Sequence, residues 1–242
     1  MGNVLNLFAN SIAFILNGGK DQSTVHTPST DSAFDTVTIT GVSTQNSGGV
    51  SSNFGHYFVA SIYTGASGNT PIHNVTKSSS SSVSASVDFS PLIAAHDILT
   101  IRVGTSFISL DQAILNMREV NTEKTFENVV AEAKAEWNQV LSRALLVDVG
   151  AGYDQAKTQD LYTTFYSCLY RASLFPRQLT EFDADGNEVH WSPFDDAGAV
   201  YHGPLSTDSG FWDAYNTIYP YLSIVNRPVL GNMIQGWVNG YK

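Results

Sequence analysis

The sequence predicts an α+β chain of more than one domain, an antiparallel β-sandwich followed by amphipathic helices. Three observations carry this. Between Thr36 and Ser109, short segments alternate apolar and polar residues with period two, separated by Gly, Ser and Asn clusters. At Glu119 the apolar period lengthens to that of a helix. From there to Tyr241 the long apolar segments keep helical spacing. Strands first and helices afterwards is the order of segregated layers, not of alternating βαβ units.

Val4 to Leu16 is apolar in broken alternation and stops at the turn signal Asn17-Gly18-Gly19, which predicts a strand. It lacks the basic start and small-residue cleavage site of a signal peptide. Lys20 to Ser32 is polar and predicts a loop. Thr36 to Thr40 predicts a strand stopped by Gly41, and Ser43 to Ser52 a loop. Phe54 to Tyr63 carries apolar groups on both faces, as a central strand does. Gly65 to Asn69 is a turn, and the serine run Ser78 to Ser82 a loop tip. Val83, Ala85, Val87 and Phe89 alternate with polar residues, giving a strand with one wet face. Asp97 to Ser109 alternates around Gly104 and predicts another strand.

Phe126, Val129, Val130, Ala133, Trp137, Val140 and Leu141 then make one helical stripe. Thr122 or Thr125 can cap it, and Glu123 or Glu127 suits its positive end. Leu145 to Gly152 predicts a short extended segment. A helix follows from Gln155 to Leu174, with Leu161, Phe165 and Leu169 on one face and Pro176 as its stop. Cys168 lies among its aromatics and predicts a small buried hydrophobe. Glu181 to Trp191 predicts a hairpin around Asp185-Gly186, and Pro193 to Pro204 a loop. A helix from Phe211 to Tyr219 opens on Ser206-Thr207-Asp208-Ser209 and is closed by Pro220. Pro228 suits the first turn of the last helix, whose stripe is Leu230, Met233, Ile234, Trp237, Val238 and Tyr241.

Composition narrows the function. The chain has 242 residues, net charge −10 and only 12 Lys and Arg. A phosphate-binding surface needs clustered cations, so nucleic acid is not an expected partner. No apolar run approaches the ~18–20 residues of a membrane span. With a single cysteine, no internal disulfide forms. A Ser-, Thr-, Asn- and Gly-rich, Lys-poor surface suits a secreted protein, as does the sequon Asn74-Val75-Thr76. Asp183-Ala184-Asp185-Gly186-Asn187 has the composition of a calcium loop, but its glycine is fourth rather than sixth and no Glu follows in place, so a hairpin turn is expected. Asp195 and Asp196 are expected to splay into solvent.

The richest stretch runs from Leu161 to Pro220. It contains Phe165-Tyr166, Leu169-Tyr170, Pro176-Arg177, Asp185-Gly186, Ser209, Trp212-Asp213, Tyr215 and Tyr219-Pro220. Upstream lie Val103 to Ser109, Gln112-Ala113 and Glu136-Trp137-Asn138, and downstream Met233-Ile234-Gln235. In order and spacing, from about Thr36 to Lys242, these resemble glycoside hydrolase family 92, the calcium-dependent, inverting exo-α-mannosidases.

The resemblance implies a partial sandwich domain over 1–118, a linker helix region over 119–149 and the first part of an (α/α)6 catalytic barrel over 150–242. Six helix pairs need on the order of 200 residues, more than follow the linker, so the expectation is a fragment with an incomplete barrel, inactive alone. Inverting hydrolysis needs two carboxyl groups ~6.5–9.5 Å apart. The family motifs that hold them, similar to E-G-N-x-x-Q-Y and G-N-D-D, do not occur here. No catalytic residue and no calcium ligand is therefore expected in this chain. The expected partners are a mannose-containing glycan and the remainder of the barrel.

Substrate-binding candidates are Trp212, Asp213, His190, Tyr201 and His202. An indole face suits a sugar's C–H surface, and a carboxylate accepts from adjacent hydroxyls. The resemblance places Asp213 at the terminal mannose. The rival expectation makes Trp212 core and Asp213 a local cap. His190, Tyr201 and His202 precede that helix in an aromatic loop. Arg177 is expected to lock the loop. Where the family follows with Thr-Tyr-Arg, this chain has Ala214-Tyr215-Asn216, one charge fewer beside the pocket. The alternatives to an α-mannosidase fragment are a non-catalytic carbohydrate-binding remnant and a non-functional truncated product. The last would expose apolar stripes on Phe165/Leu169 and Met233/Trp237.

Overall fold

The computed structural model describes residues 2–7, 11–15, 22–28, 31, 33–46, 48–65, 67–75, 77–80, 84–89, 98–120, 123–147, 152, 154–207 and 210–241. They fall into two compact units. The first comprises Met1–Val130 and Glu181–His202, the second Ala131–Thr180 and Gly203–Lys242.

The first unit is built on two antiparallel sheets. The larger contains β1 (Gly2–Leu7), β3 (Gln22–His26), β4 (Thr38–Ser43), β5 (His56–Thr64), β6 (Thr70–Pro71) and β9 (Leu99–Ser106), in the order β1-β9-β5-β4-β3 with β6 on β5. The smaller is β2-β8-β7, from Ser11–Ile15, Ser84–Asp88 and Lys77–Ser80. Their apolar faces share one core. Ile39 of β4, Ala60 and Ile62 of β5, and Leu99 and Ile101 of β9 pack with Ala85 and Val87 of β8, and Phe89 closes it. Burying each such branched or aromatic side chain contributes ~1.5–3 kcal/mol. The sandwich expected from the alternation is therefore present, with β5 as its central strand.

The outer face of the larger sheet is polar yet partly buried. Thr38 bonds Ser61 at 2.9 Å across the β4–β5 pair. Arg102 is buried and donates to the carbonyls of Gly68 at 3.0 Å and Lys124 at 3.1 Å and to Asn69. Its guanidinium carbon sits 4.6 Å from the Tyr63 ring centroid. A buried cation needs such partners; both terminal nitrogens have them, while Nε has no hydrogen-bond partner among the described residues. Arg102 thus staples the Gly65–Asn69 turn to the approach of the next helix.

Several local expectations are corrected. The run from Val4 to Leu16 forms two strands in different sheets, with Phe8 to Asn10 outside the described residues. Gly41 lies inside β4 rather than ending it. Three stretches expected as loops hold strands: Gln22–His26, Lys77–Ser80, and Val200–His202 as β13. The first two are edge strands, where a polar sequence is tolerated because one side faces solvent. Leu110–Met117 forms a helix, α1, that the strand-like reading to Ser109 did not anticipate. Ser109 caps it, accepting from the Gln112 amide at 3.1 Å. Gly104 makes room for it, since a Cβ there would meet the Ala113 carbonyl at 2.1 Å. The positions Thr76, Ser81, Ser82, Val83, Asp97, Thr122, Asp208 and Ser209 lie outside the described residues.

Helix α2 (Phe126–Leu141) is capped by Thr125, which accepts from the Asn128 amide at 3.2 Å. It crosses from the first unit into the second. In the second unit, Trp137 packs on Tyr170 of α3 (Gln155–Ala172) with ring centroids 4.5 Å apart. Asp154 caps α3, accepting from the Lys157 amide at 2.8 Å. The helix ends at Ala172, before Pro176, and Ser173 bonds back to the Leu169 carbonyl at 2.8 Å. Cys168 is exposed, contrary to expectation; Leu169, one residue on, takes the buried position. After α3 comes β10 (Arg177–Gln178).

Four strands follow β10. They are β11 (Glu181–Phe182), β12 (Glu188–Trp191), β13, and β14 (Ser206–Thr207), which pairs with β10. The helix expected from Phe211 to Tyr219 is two, α4 (Phe211–Ala214) and α5 (Ile218–Val225). Pro220 therefore lies in the first turn of α5 instead of closing a helix, a position where its missing N–H costs nothing. Pro228 lies likewise in the first turn of α6 (Arg227–Tyr241). There Met233 is buried, and Gly236 would place a Cβ 3.2 Å from the Leu205 backbone. The inward stripe is thus covered at Leu169 and Met233. Ile224, Ile234, Val238 and Tyr241 are the exposed apolar residues of α5 and α6.

Candidate functional site

The predicted site residues fall into two groups, one in each unit.

In the second unit, Trp212 and Asp213 share the four-residue helix α4. Gly210 precedes it with φ 44°, a left-handed conformation that only glycine adopts freely. The Phe211 ring leans on Trp237 of α6 at 4.9 Å, and Ala214 is buried. Successive helical residues point ~100° apart; only Ala214 of this helix is buried, and Phe211, Trp212 and Asp213 are all exposed. Trp212 is 80% exposed, which overturns the expectation that it is core. Asp213 is exposed, and its carboxylate has no hydrogen-bond partner among the described residues. Its backbone does the local work: the amide donates to Gly210 O at 3.0 Å, and the carbonyl accepts from Thr217 Oγ1 at 2.9 Å. An unengaged carboxylate beside an open indole can accept hydroxyls while the ring covers a C–H face.

In the first unit, β12 joins β11 and β13 in a three-stranded sheet. The β11–β12 turn is the expected hairpin. Asp183 Oδ1 accepts from the amides of Asp185 at 3.0 Å and Asn187 at 2.8 Å, and the Asn187 side chain donates as well. These donors hold the Asp183 carboxyl below the usual carboxylate range. The register pairs His190 with Tyr201 and Val189 with His202. His190 is 1% exposed and its ring stacks on Tyr201 with centroids 5.9 Å apart. Tyr201 and His202 are exposed. The structure therefore brings His190 and Tyr201 together, with the histidine as the buried support and the tyrosine as the accessible surface.

Asp195 and Asp196 do not splay freely. The Tyr201 hydroxyl donates to Asp195, whose other oxygen accepts from the Ala197 amide at 2.9 Å. Tyr201 first, and Ala197 second, hold the Asp195 carboxyl below its ordinary range. The same contact raises the Tyr201 phenol. Asp196 accepts from the Ser52 amide at 2.8 Å. Both carboxylates shape the turn that carries Tyr201. Sequence reasoning missed this pairing because the six-residue separation has no periodic signature.

This sheet is fastened to the sandwich by Glu181. Its Oε1 accepts from the Phe107 amide at 2.9 Å and its Oε2 from Asn116 Nδ2 at 2.7 Å. Gln112 Nε2 of α1 donates to the Phe182 carbonyl at 2.7 Å. Trp191 inserts beside Phe54 at 5.5 Å and Phe107 at 6.3 Å, and its indole N–H reaches Asn53 at 3.2 Å. Arg177 belongs to the β10–β14 pair, opposite Thr207.

Among the described residues, no three His, Cys, Asp or Glu side chains gather as a metal ion requires. None of their helices is long and apolar enough to cross a membrane.

Comparison with known proteins places this architecture. The model of the glycosyl hydrolase family 92 catalytic domain matches residues 112–242. The family GH92 inverting mannosidase BT2199 from Bacteroides thetaiotaomicron superimposes with a TM-score of 0.72 at 31% identity, over 92% of this chain and 28% of its own. The family GH92 α-mannosidase BT3965 from the same organism, also solved with mannoimidazole, gives 0.63 at 21% identity over the same shares. The GH92 family glycosyl hydrolase ccman5 gives 0.65 at 18% identity, over 98% of this chain and 29% of its own. The last two show the fold. The chain spans less than a third of the length of each of these structures. No curated protein matches the sequence.

Proposed function

Because the chain belongs to glycosyl hydrolase family 92, we propose that it forms the sugar-gripping part of a secreted, calcium-dependent, inverting exo-α-mannosidase. Trp212 and Asp213 hold the terminal mannose: the carboxylate accepts from two neighbouring hydroxyls and the indole covers a ring face. The observation that carries this is the outward pair on α4, with Trp212 80% exposed. The mannoimidazole complex of BT3965 supports a mannose-type ligand. Tyr201 and His202, in the first unit, are exposed polar groups of a kind that suits a glycan, with His190 supporting the Tyr201 ring.

The roles proposed for these residues are binding roles, with no general acid, general base or calcium ligand among them. The test is hydrolysis of an aryl α-mannoside by the purified chain, with calcium and with chelator. The expected result is a folded protein without turnover. Calcium-dependent turnover would overturn the assignment and direct attention to Asp195, Asp196, Asp208 and Asp213.

A further inference from the structure

A second site lies in the first unit, on the outer face of the larger sheet. A cavity of about 250 Å³ is lined by Thr24 of β3, Thr40, Gly41 and Val42 of β4, Tyr57 of β5 and Leu110 of α1. Cross-strand register sets Thr24 opposite Thr40, and Val42 opposite Tyr57. Thr40, Val42 and Tyr57 alternate along their strands with Ile39, Phe58 and Ala60, which pack at the sandwich core. We propose that this cavity binds a neutral, polyhydroxylated ring of monosaccharide size.

The hydrogen-bonding groups are arranged for such a ligand. Thr24 and Tyr57 have no side-chain hydrogen-bond partner among the described residues, so both hydroxyls are available to a guest. The Thr40 hydroxyl is oriented. Asp31 Oδ2 lies 2.5 Å from His26 Nδ1, and His26 Nε2 lies 2.9 Å from Thr40 Oγ1. A carboxylate only accepts, so a single ring proton belongs on Nδ1, the tautomer in which Nε2 accepts from Thr40. The lone pairs of Thr40 are then left for a ligand hydroxyl. The site offers one fixed acceptor and two adaptable hydroxyls between the apolar walls of Val42 and Leu110. None of its lining side chains is charged, which selects against ionic ligands. A volume just under the ~300 Å³ lower bound of drug-sized pockets suits a single ring.

The Asp31–His26–Thr40 order resembles a nucleophilic triad, but that chemistry also needs N–H donors for the developing oxyanion. Strand β4 is paired on both sides here, Gly41 with Ser23 and with Phe58. Its backbone is committed to the sheet, so the relay orients Thr40 for binding and not for attack.

The test is saturation-transfer NMR with methyl α-mannopyranoside and methyl β-glucopyranoside. The protein carries Trp212→Ala and Asp213→Ala, so that the α4 site cannot contribute. The expected result is transfer to ring protons with a dissociation constant in the ~1–10 mM range. Combining Thr24→Val with Tyr57→Phe, which removes only two hydroxyls, should weaken it about tenfold, near 1.4 kcal/mol. Val42→Trp, which fills the space, should abolish it. Absence of transfer for both glycosides, or transfer that survives both sets of substitutions in folded protein, overturns the proposal.

Discussion

Glu181 Oε2 lies 2.7 Å from Asn116 Nδ2, and the same nitrogen donates to the Thr105 carbonyl at 2.8 Å. One buried carboxylate thus joins the β9–α1 corner to a strand that begins 65 residues later. The three-stranded sheet bearing His190, Tyr201 and His202 hangs from this join.

Glu181→Ala should therefore loosen that sheet. It strands the Phe107 amide and an amide proton of Asn116 in a partly buried setting, at a cost of about 1–3 kcal/mol. Urea unfolding reads the loss. Hydrogen exchange should quicken at Val189–Trp191 and Val200–His202 before it does in β5. Uniform loss of protection across the sandwich would contradict the role given to Glu181.

Gly104→Ala should be among the most damaging single-methyl changes. The added Cβ would sit 2.1 Å from the Ala113 carbonyl and 2.7 Å from Met117 Cβ. Neither is the free end of a flexible side chain, so α1 must move. The expected cost is about 1–3 kcal/mol or more, measured as a fall in the denaturation midpoint. An unchanged midpoint would show that α1 sits farther from β9.

The Asp195–Tyr201 contact gives a pH signature. Asp195 is depressed in the folded chain, so its stabilising contact is present above the unfolded carboxylate value and is lost as pH falls through the folded one. Tyr201→Phe should raise the Asp195 value toward the ~3.9 of an ordinary aspartate. Carboxyl-carbon NMR titration of both proteins tests this. Identical titration curves would contradict the contact.

Trp212→Ala and Asp213→Ala should leave stability within about 0.5 kcal/mol, since both side chains are exposed and Asp213 is uncommitted. Thermal unfolding of each variant measures it. A larger loss would mean that the pair supports α4 and is not held out for a ligand.

Much of the fold was legible in the sequence because burial imposes a period. Alternation found β5, β8 and β9. The 3.6-residue stripe found α2, α3 and α6. What escaped was set by partners instead of pattern. Strands β3 and β7 are polar edges, and β13 is ordered by pairing with β12. Helix α1 left one signal, Ser109 three residues before Gln112, an arrangement that caps helices. Pro220 was misplaced because proline also fits a first turn. At the site, the Trp212-Asp213 dipeptide was visible as a motif. The Asp195–Tyr201 contact and the Glu181 anchor depend on chain reversals that no spacing rule encodes.

The most direct test of the mannose-gripping role is an NMR titration of the chain with methyl α-mannopyranoside, read at the Trp212 indole N–H. The account predicts a saturable shift at that resonance in the wild-type chain and none in Asp213→Ala. An indole signal that stays still in the folded wild-type chain would contradict the assignment of Trp212 and Asp213 to the sugar.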